Sequence, residues 1–429
     1  MFKTLINAFK VKEIRNKILL TILLICVYRL GCWIPCPGLT PDGFRGIVEA
    51  EGADFFQLLS SVSGGALANG SILALGVAPY ISSSIIIQLL TIAIPALERL
   101  TKMGEEGKKK ISIYTKYCAL ILAIIQAVAV VISYSEILNT DVLPKWGAGM
   151  IVVLVLVAGS MFTYWLGEKI TEYGISNGVS LLIFVGILST ASSALVNNFV
   201  AIFKGETSKI LELGLFLVAL IFIFGFIVFM DMSERKIPVQ YAKQIKGRKM
   251  YGGQSTHIPI RINSTGVMPI IFAMSILSFP QLIMSIFWPK SHAYEVYSEW
   301  LGTGSWIYIV FVGLLILFFS YFWTQVTFNP EDVSKNIQQN GGFIPGIRPG
   351  KPTADYLKKI SNRITLFGAI FLGVIAIVPS LVFKAISSGG LVNAFSATGL
   401  LIVVSVAIEI QKQLDAQMLM RNYKGFLNK

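Results

Sequence analysis

The chain alternates between long apolar stretches and shorter polar ones. Ten apolar stretches are each close to the roughly 20 residues that a helix needs to cross the hydrocarbon core of a bilayer. They lie at residues 18–36, 72–94, 115–134, 148–166, 178–197, 212–230, 265–288, 305–325, 364–383 and 391–410. Hydrocarbon offers no hydrogen-bond partner to an open strand, so each stretch should be helical. The pattern therefore predicts an all-α polytopic membrane protein with ten transmembrane helices.

The composition supports this class. Of the 429 residues, 54% are hydrophobic and only 14% are charged, whereas a soluble protein carries about a quarter of its residues as charged ones. The net charge of +13 has two readings. It is typical of cytoplasmic loops that also attract anionic lipids, or it indicates contact with nucleic acid or an acidic partner.

The distribution of Lys and Arg predicts the orientation. If the N-terminus is cytoplasmic, 29 of the 36 basic residues lie in cytoplasmic segments and 6 lie outside, while Arg29 falls within the first apolar stretch. This asymmetry predicts that both termini are cytoplasmic. Residues 1–17 place Phe2, Leu5, Ile6 and Phe9 on one helical face, which predicts an amphipathic helix on the cytoplasmic membrane surface. Residues 411–429 are expected to form a cytoplasmic tail.

The ten predicted spans divide into two halves of five, at 18–200 and 201–410. Because five is odd, the halves enter the membrane from opposite sides, which is the arrangement of an inverted repeat with a functional seam between its halves. The second half has two long, basic cytoplasmic loops, at 231–264 and 326–363. Such loops suit the docking of a large acidic surface, either RNA phosphate or an acidic protein.

Residues 55–75 fit neither class of segment. They are too apolar for a water-facing loop and too interrupted by Ser, Gly and Asn for a span. We predict a re-entrant plug helix at about 55–70 that enters the membrane from outside. Irregular backbone persists at membrane depth only where protein buries it or water reaches it, so the segment also predicts a cavity. An amphipathic loop on the outer surface is the alternative.

The spans offer little catalytic chemistry. No Asp, Glu, Lys or His lies near the middle of any span, which counts against a proton-coupled carrier and against a membrane enzyme. Around residues 346–352, Pro345 and Pro352 occupy the positions where a phosphate loop requires Gly and Ser/Thr. The chain has two histidines, and its four cysteines are interpreted as packing residues, so neither a metal site nor a cofactor is expected. On composition and topology alone, a secondary transporter of a small solute with inverted repeats remains the alternative to a channel.

Five motifs identify a family resemblance. They are RLGCWIPCPG (29–38), GVAPYISSSIIIQLL (76–90), WLGEKITEYGISNGVSLLIF (165–184), YAKQIKGRKMYGGQSTHIPI (241–260) and FIPGIRPGKPTADYL (343–357). With them the chain resembles the SecY family, the central subunit of the bacterial protein-conducting channel, over essentially its whole length. The resemblance implies a channel that passes unfolded secretory proteins across the plasma membrane and releases hydrophobic segments sideways into lipid. A partner motor or a ribosome would power it.

The resemblance also implies roles for particular residues. The pore ring at the waist of the channel would be Val77, Ile81, Val179, Ile183, Ile271 and Ile402. The plug beneath it would include Phe55, Leu58, Leu59, Ser63, Gly64, Gly65 and Leu67. The polar cluster of the lateral gate would be Ser82, Gln126 and Asn263. The docking residues for the SecA motor and the ribosome would be Lys246, Arg248, Lys249, Arg348, Pro349 and Gly350, although basic residues in these loops also set topology.

The partners that the resemblance implies are SecE-like and SecG-like subunits, the SecA ATPase, the ribosome, unfolded preproteins with their signal sequences, and anionic lipids. The expected location is the bacterial plasma (inner) membrane, as a multi-pass protein.

Overall fold

The computed structural model describes most of the chain. The described residues are 9–39, 60, 63–133, 144–204, 208–241, 244–246, 249–251, 255–263, 266, 268–287, 292, 296–297, 300, 305–386 and 397–427. Contacts divide the chain into two compact units. The first unit comprises Met1–Leu213, Ser275–Ser305 and Ser387–Lys429, and the second comprises Gly214–Met274 and Trp306–Ile386.

Helices dominate the described residues. They are α1 (Lys12–Gly31), α2 (Ala78–Ala93), α3 (Pro95–Lys102), α4 (Glu105–Ser133), α5 (Lys145–Tyr173), α6 (Gly178–Phe203), α7 (Ser208–Met232), α8 (Met268–Phe287), α9 (Trp306–Thr327), α10 (Pro330–Gln339), α11 (Lys351–Ile386) and α12 (Ala397–Leu427). Five strands accompany them: β1 (Glu234–Tyr241), β2 (Gln244–Lys246), β3 (Lys249–Tyr251), β4 (Ser255–Arg261) and β5 (Gly342–Phe343).

Each of the ten apolar stretches overlaps a described helix. Among the described residues, six helices are long and apolar enough to cross a membrane, namely α4, α5, α6, α7, α9 and α11. The count is seven if α2 and α3, which are bent by 106° relative to each other, form one broken span. Pro95 opens α3 at this bend, where a proline ring is compatible with a first helical turn but not with a helix interior.

A tight helical hairpin joins α5 to α6 in the first unit. The Asn177 side chain caps α6 by accepting hydrogen bonds from the backbone N–H groups of Val179 and Ser180. The Gly178 N–H donates to Oγ1 of Thr171 at 2.8 Å. A Cβ on Gly167 would lie 3.1 Å from Cγ2 of Val179, so a glycine here permits the close approach of the two helices.

The C-terminal helix belongs to the first unit by its contacts. α12 packs against α6, and Leu414 lies in a buried apolar cluster with Ile14, Ile18 and Ile175. The predicted halves at 18–200 and 201–410 therefore differ from the contact-defined units. The difference arises because α12, although last in the chain, buries its apolar face against α6 and the start of α1, which are in the N-terminal half.

A small sheet forms part of the second unit. Its strand order is β4-β1-β5, and both pairings are antiparallel. Ile237 and Val239 on β1 point inward and pack with Leu357 and Ile360 of α11 and Ile337 of α10. The expectation of a purely helical fold is therefore incomplete. The predicted loop 231–264 contains strands, which the alternation of buried and exposed residues along β1 marks.

Several helices extend beyond the predicted spans. α11 begins at Lys351, well before the predicted span at 364, because Ala354, Leu357, Ile360 and Ile364 form one apolar face that packs toward the sheet. Similarly, α1 begins at Lys12 and includes the end of the segment predicted as a surface helix at 1–17, of which residues 1–8 lie outside the described residues. Hydropathy detects long apolar runs, whereas each of these extensions buries only one apolar face against protein.

Leu357→Ala is expected to loosen the sheet core. The side chain is fully buried in the apolar cluster, and such truncations cost about 2–5 kcal/mol. Faster hydrogen exchange of the β1 and β4 amides, relative to wild type, measures this loss. Phe367→Ala on the same helix is the control, because Phe367 is 66% exposed. Equal exchange in the two variants would contradict the assignment of Leu357 to the core.

Candidate functional site

Residues 63–77, here called the glycine segment, form a buried irregular stretch that precedes α2. The described backbone makes consecutive turns and no α-helix between residues 63 and 77, so in this part the predicted plug is not helical. Four glycines, at 64, 65, 70 and 76, adopt positive φ angles between 53° and 81°. L-residues rarely adopt such angles, and a continuous right-handed helix excludes them. Phe55, Leu58 and Leu59 of the predicted plug lie outside the described residues.

Many peptide groups of the glycine segment are paired within the protein. The Gly65 N–H donates to the Ser60 carbonyl at 2.8 Å, and the Ser71 N–H donates to the Ala66 carbonyl at 3.0 Å. Two further bonds join the segment to the chain that follows α1. Ile72 N–H donates to Ile34 O at 3.0 Å, and Cys36 N–H donates to Gly70 O at 2.8 Å. An irregular backbone in apolar surroundings requires such pairing, because each unpaired group costs several kcal/mol.

Side chains of α1 bind the start of the segment. The Tyr28 hydroxyl donates to the Ser63 carbonyl at 3.2 Å. The Arg29 guanidinium donates from Nη1 to the Gly64 carbonyl at 3.3 Å and from Nη2 to Oγ of Ser189 on α6. Two side chains of α1 therefore hold two successive carbonyls, and one of them also bonds to α6.

Glycines on three helices make room for the segment, and we call them the glycine notches: Gly31 on α1, Gly159 on α5 and Gly186 on α6. A Cβ on Gly159 would overlap the carbonyl oxygen of Ile72, and one on Gly31 would overlap the Leu73 side chain. A Cβ on Gly64 of the segment would lie 2.8 Å from Cα of Gly186. The segment therefore fits only because these helix surfaces carry no side chain at the contact.

Apolar packing buries the middle and the end of the segment. Leu67, Ala74 and Leu75 are at most 1% exposed. They lie in one cluster with Cys36, with Ala127 and Val130 of α4, and with Val152 and Leu156 of α5. The Ser160 hydroxyl of α5 donates to the Gly76 carbonyl at 3.1 Å, which fixes the backbone where α2 begins.

Five of the six predicted ring residues lie in the first unit. Val77 ends the glycine segment and Ile81 lies one turn further, on α2, while Val179 and Ile183 are likewise one turn apart on α6. Ile402 lies on α12, which packs against α6. Val77, Ile183 and Ile402 are buried, and Ile81 and Val179 are half-buried.

The sixth ring residue, Ile271, belongs to the second unit. It lies in the first turn of α8 and is half-buried. Its neighbours Ile270 and Phe272 are each 1% exposed, and the Phe272 ring packs on that of Phe319 with centroids 5.4 Å apart. The local backbone around Ile271 is therefore held firmly by its neighbours.

The predicted gate residues are divided between the units. Ser82 on α2 and Gln126 on α4 lie on two closely packed helices, whose contact includes a 2.6 Å bond from the Ser83 hydroxyl to the Thr115 carbonyl. Asn263 is in the second unit, where its Nδ2 donates to Oδ1 of Asp231 at 3.0 Å. Oε1 of Gln126 and Oδ1 of Asn263 are buried and have no donor among the described residues.

The predicted docking turn is rigid and presents one cation. The Arg348 side chain is exposed, but its carbonyl accepts from the Thr353 hydroxyl at 2.9 Å, and the Gly350 carbonyl accepts from the Ser334 hydroxyl at 2.8 Å. Ile344, which is 2% exposed, anchors the turn to the sheet core. Pro349 lies within this turn.

The second predicted docking segment is described only by its backbone. Lys246 on β2 pairs with Lys249 on β3 in the antiparallel register. Arg248 lies outside the described residues.

Several contacts of the site were not predictable from the sequence. Tyr28, Gly159, Gly186 and Ser189 carry no motif that distinguishes them from residues that merely pack helices together. The available signal was weak: an arginine within an apolar stretch and glycines within spans. No group of His, Cys, Asp or Glu that could hold a metal ion occurs among the residues that the structure describes.

Comparisons with known proteins agree on one family. The SecY family model matches residues 71–411. The protein translocase subunit SecY of Mycobacterium tuberculosis is 40% identical over 100% of both chains. A solved SecY structure, described as one whose plug domain stabilises the closed state of the translocation channel and maintains a membrane seal, matches with a TM-score of 0.64 at 19% identity, over 94% of this chain and 92% of the other. Sec61 in the canine ribosome-channel complex matches with a TM-score of 0.60 at 17% identity, over the same shares.

Gly159→Ala is expected to displace the glycine segment, because the added Cβ would overlap the Ile72 carbonyl. Overpacking costs about 1–3 kcal/mol, which corresponds to about 5- to 150-fold more frequent opening. The measurement is the rate at which N-ethylmaleimide alkylates Cys32, followed by peptide mass spectrometry. Cys32 is a suitable probe because it is buried and its Sγ lies 3.9 Å from the Ser63 carbonyl.

Gly225→Ala is the matched control for this experiment, because a Cβ there meets nothing within 4 Å. Free glutathione treated in parallel reports the intrinsic reagent reactivity. A Cys32 rate in Gly159→Ala no higher than in Gly225→Ala would show that the notch does not hold the segment.

Proposed function

The chain belongs to the SecY family, and we propose that it is the protein-conducting subunit of a translocase. It passes unfolded secretory proteins across a membrane and releases hydrophobic segments sideways into lipid. The observation that carries this function is the similarity to translocase subunits over the whole chain, joined to a buried non-helical segment among apolar helices. A secondary transporter is not supported, because the relatives are translocase subunits and the matching structures are translocation channels.

The glycine segment is proposed to be the part of the plug that closes the channel. Its burial, its internally paired backbone and its fit against the glycine notches support a closed position that excludes water. A structurally similar SecY protein is described as sealing the membrane with its plug domain, and the same role is proposed here for residues 55–70 together with the glycine segment.

The six aliphatic residues are proposed to form the constriction. An apolar constriction excludes ions by dewetting and requires no moving charge, while aliphatic side chains can part around a polypeptide of any sequence. The spacing of Val77 with Ile81 and of Val179 with Ile183 supports this role, because residues four apart share one helical face. The firmly packed surroundings of Ile271 support it as well.

Replacing a single isoleucine of the pore ring with serine is expected to make vesicles leaky to ions. Removing the apolar surface of one isoleucine forfeits about 2 kcal/mol, which corresponds to more than about tenfold in the population of wetted pores. The measurement is potassium efflux from vesicles that contain the purified channel, with Ile183→Ser and Ile402→Ser compared with wild type. Leu188→Ser on α6, at a 47% exposed position, is the control, and efflux equal in all four proteins would refute the ring.

The lateral gate is proposed to involve Ser82, Gln126 and Asn263. The buried amide oxygens of Gln126 and Asn263, which lack donors among the described residues, support a role that requires a polar group from elsewhere. Hydrogen bonds between membrane helices contribute about 0.6 kcal/mol each, so a few of them close a seam that an incoming apolar helix can still open.

The proposed partners are the ribosome, the SecA ATPase, SecE-like and SecG-like subunits, preproteins with signal sequences, and anionic lipids. A structurally similar Sec61 channel is in complex with a ribosome, which supports docking of a ribosome on the cytoplasmic side here. We propose no catalytic site within this chain, so the driving energy would come from those partners.

The chain is a multi-pass membrane protein, and we propose the bacterial plasma membrane with both termini in the cytoplasm. Exposed tryptophans support the position of the outer interface. Trp33, Trp146 and Trp306 are 77–88% exposed and lie at the predicted outer ends of α1, α5 and α9. Tryptophan prefers the headgroup level of a bilayer because its ring is apolar and its N–H is polar.

Arg348→Glu is expected to lower SecA-driven translocation by at least about tenfold. The reversed charge on the docking turn would face an acidic surface of the partner, and contact between like charges costs several kcal/mol. Reconstituted vesicles with purified SecA, ATP and a preprotein provide the measurement. Lys109→Glu, an exposed position on α4 outside the two long basic loops, reverses a charge away from the turn and should transport normally. Normal transport by Arg348→Glu would refute the docking role.

A further inference from the structure

Arg29 is a cation within the first apolar stretch of the chain. It lies near the end of α1, next to the buried Tyr28 and the lipid-exposed Leu30. Among the described residues no carboxylate forms an ion pair with it. Placing a charged side chain inside an apolar stretch is costly, and such residues usually make polar contacts that have a function. The hydrogen bonds of the Arg29 guanidinium therefore indicate the role of this residue.

Two of the donors of Arg29 reach two different elements. Nη1 donates to the Gly64 carbonyl of the glycine segment, and Nη2 donates to the Ser189 hydroxyl of α6. A planar guanidinium can make both bonds at once in a fixed geometry, which an ammonium group does less well. One side chain of α1 therefore joins the segment to a second helix.

The two ends of the segment are held differently. The later end is tied by backbone bonds to residues 34 and 36, by the Ser160 hydroxyl and by the apolar cluster around Leu75. Beyond its internal turn bonds, residues 63–64 are held by side-chain donors from Tyr28 and Arg29. Hydrogen bonds of this kind exchange with water or with another carbonyl at small net cost, so this end can be released while the other stays.

We propose that Arg29 is a positioning residue that acts as a releasable clamp on the glycine segment. Its guanidinium keeps the start of the segment seated between α1 and α6 when no polypeptide is in transit. The clamp is released when another acceptor, water or a carbonyl of the entering chain, takes over its donors. This inference rests on the proposed function, because it assigns the regulation of the same closure.

The test compares Arg29→Met, Arg29→Lys and Ser189→Ala in the purified channel complex, reconstituted in vesicles. Arg29→Met removes both bonds and should raise resting potassium efflux by about tenfold or more, while transport of a preprotein with its motor continues. Arg29→Lys keeps a donor and a charge and should restore part of the tightness. Lys145→Met is the control, because it removes an exposed outer cation remote in sequence from the segment.

A double variant separates a clamp from a general packing defect. If Ser189 acts through Arg29, then Ser189→Ala should raise efflux in the wild-type background and add nothing in the Arg29→Met background. Should Arg29→Met fail to assemble, Ser189→Ala alone carries the test, since it removes a single hydroxyl. Efflux of Ser189→Ala equal to wild type, or Arg29→Lys as leaky as Arg29→Met, would overturn the clamp.

Failure of the clamp and failure of the proposed function give different results. If the wild-type complex with its motor transports no preprotein, the proposed function is wrong, whatever the efflux values are. If the wild type transports normally and the Arg29 variants are as tight as the wild type, only the clamp is wrong.

Discussion

A chain that leaves the helical conformation among lipid-facing helices must pair its peptide groups inside the protein, and this requirement dominates the first unit. The glycine segment meets it with internal turns, with two backbone bonds to residues 34 and 36, and with donors from Tyr28, Arg29 and Ser160. Each unmade bond would cost several kcal/mol in apolar surroundings. The surrounding helices therefore carry glycines at the positions where they contact the segment.

In the proposed closure of the channel, the same arrangement provides both tightness and reversibility. Aliphatic packing around Leu67 and Leu75 excludes water through the hydrophobic effect, which is non-directional and requires no charged group. The polar contacts at residues 63 and 64 are few, and each contributes about 1 kcal/mol net, or somewhat more for the charged donor. A partner that supplies alternative acceptors can therefore release them, whereas thermal motion alone seldom breaks all of them together with the apolar contacts.

The second unit combines a rigid core with an exposed basic turn. The sheet of β4, β1 and β5 packs on α10 and on the first turns of α11, which extends from this core into an apolar stretch. Because Ile344 and Thr353 hold the turn that carries Arg348, the cation is presented in a defined position on an ordered support. Such pre-organisation lowers the entropy lost when a large partner docks.

The sequence by itself determined the membrane class, the helical stretches, the orientation expected from its basic residues, and the motifs of the SecY family. Each of these depends on local composition or on residues close together in the chain, such as the apolar runs of α6 and α7. It also indicated that residues 55–75 are unusual, because their Ser and Gly content conflicts with their hydrophobicity. The strands around Ile237 were missed, since a short alternation within a basic loop is a weak signal.

Only the tertiary structure decided what surrounds the glycine segment and which residues hold it. Tyr28 and Ser63 are 35 residues apart, and Arg29 and Ser189 are 160 apart, so no periodicity links them. Gly159 and Gly186 look like ordinary helix-packing glycines until the backbone of the segment lies against them. The physical reason is that apolar burial follows local sequence, whereas hydrogen-bond partners and close backbone contacts depend on which distant surfaces the fold brings together.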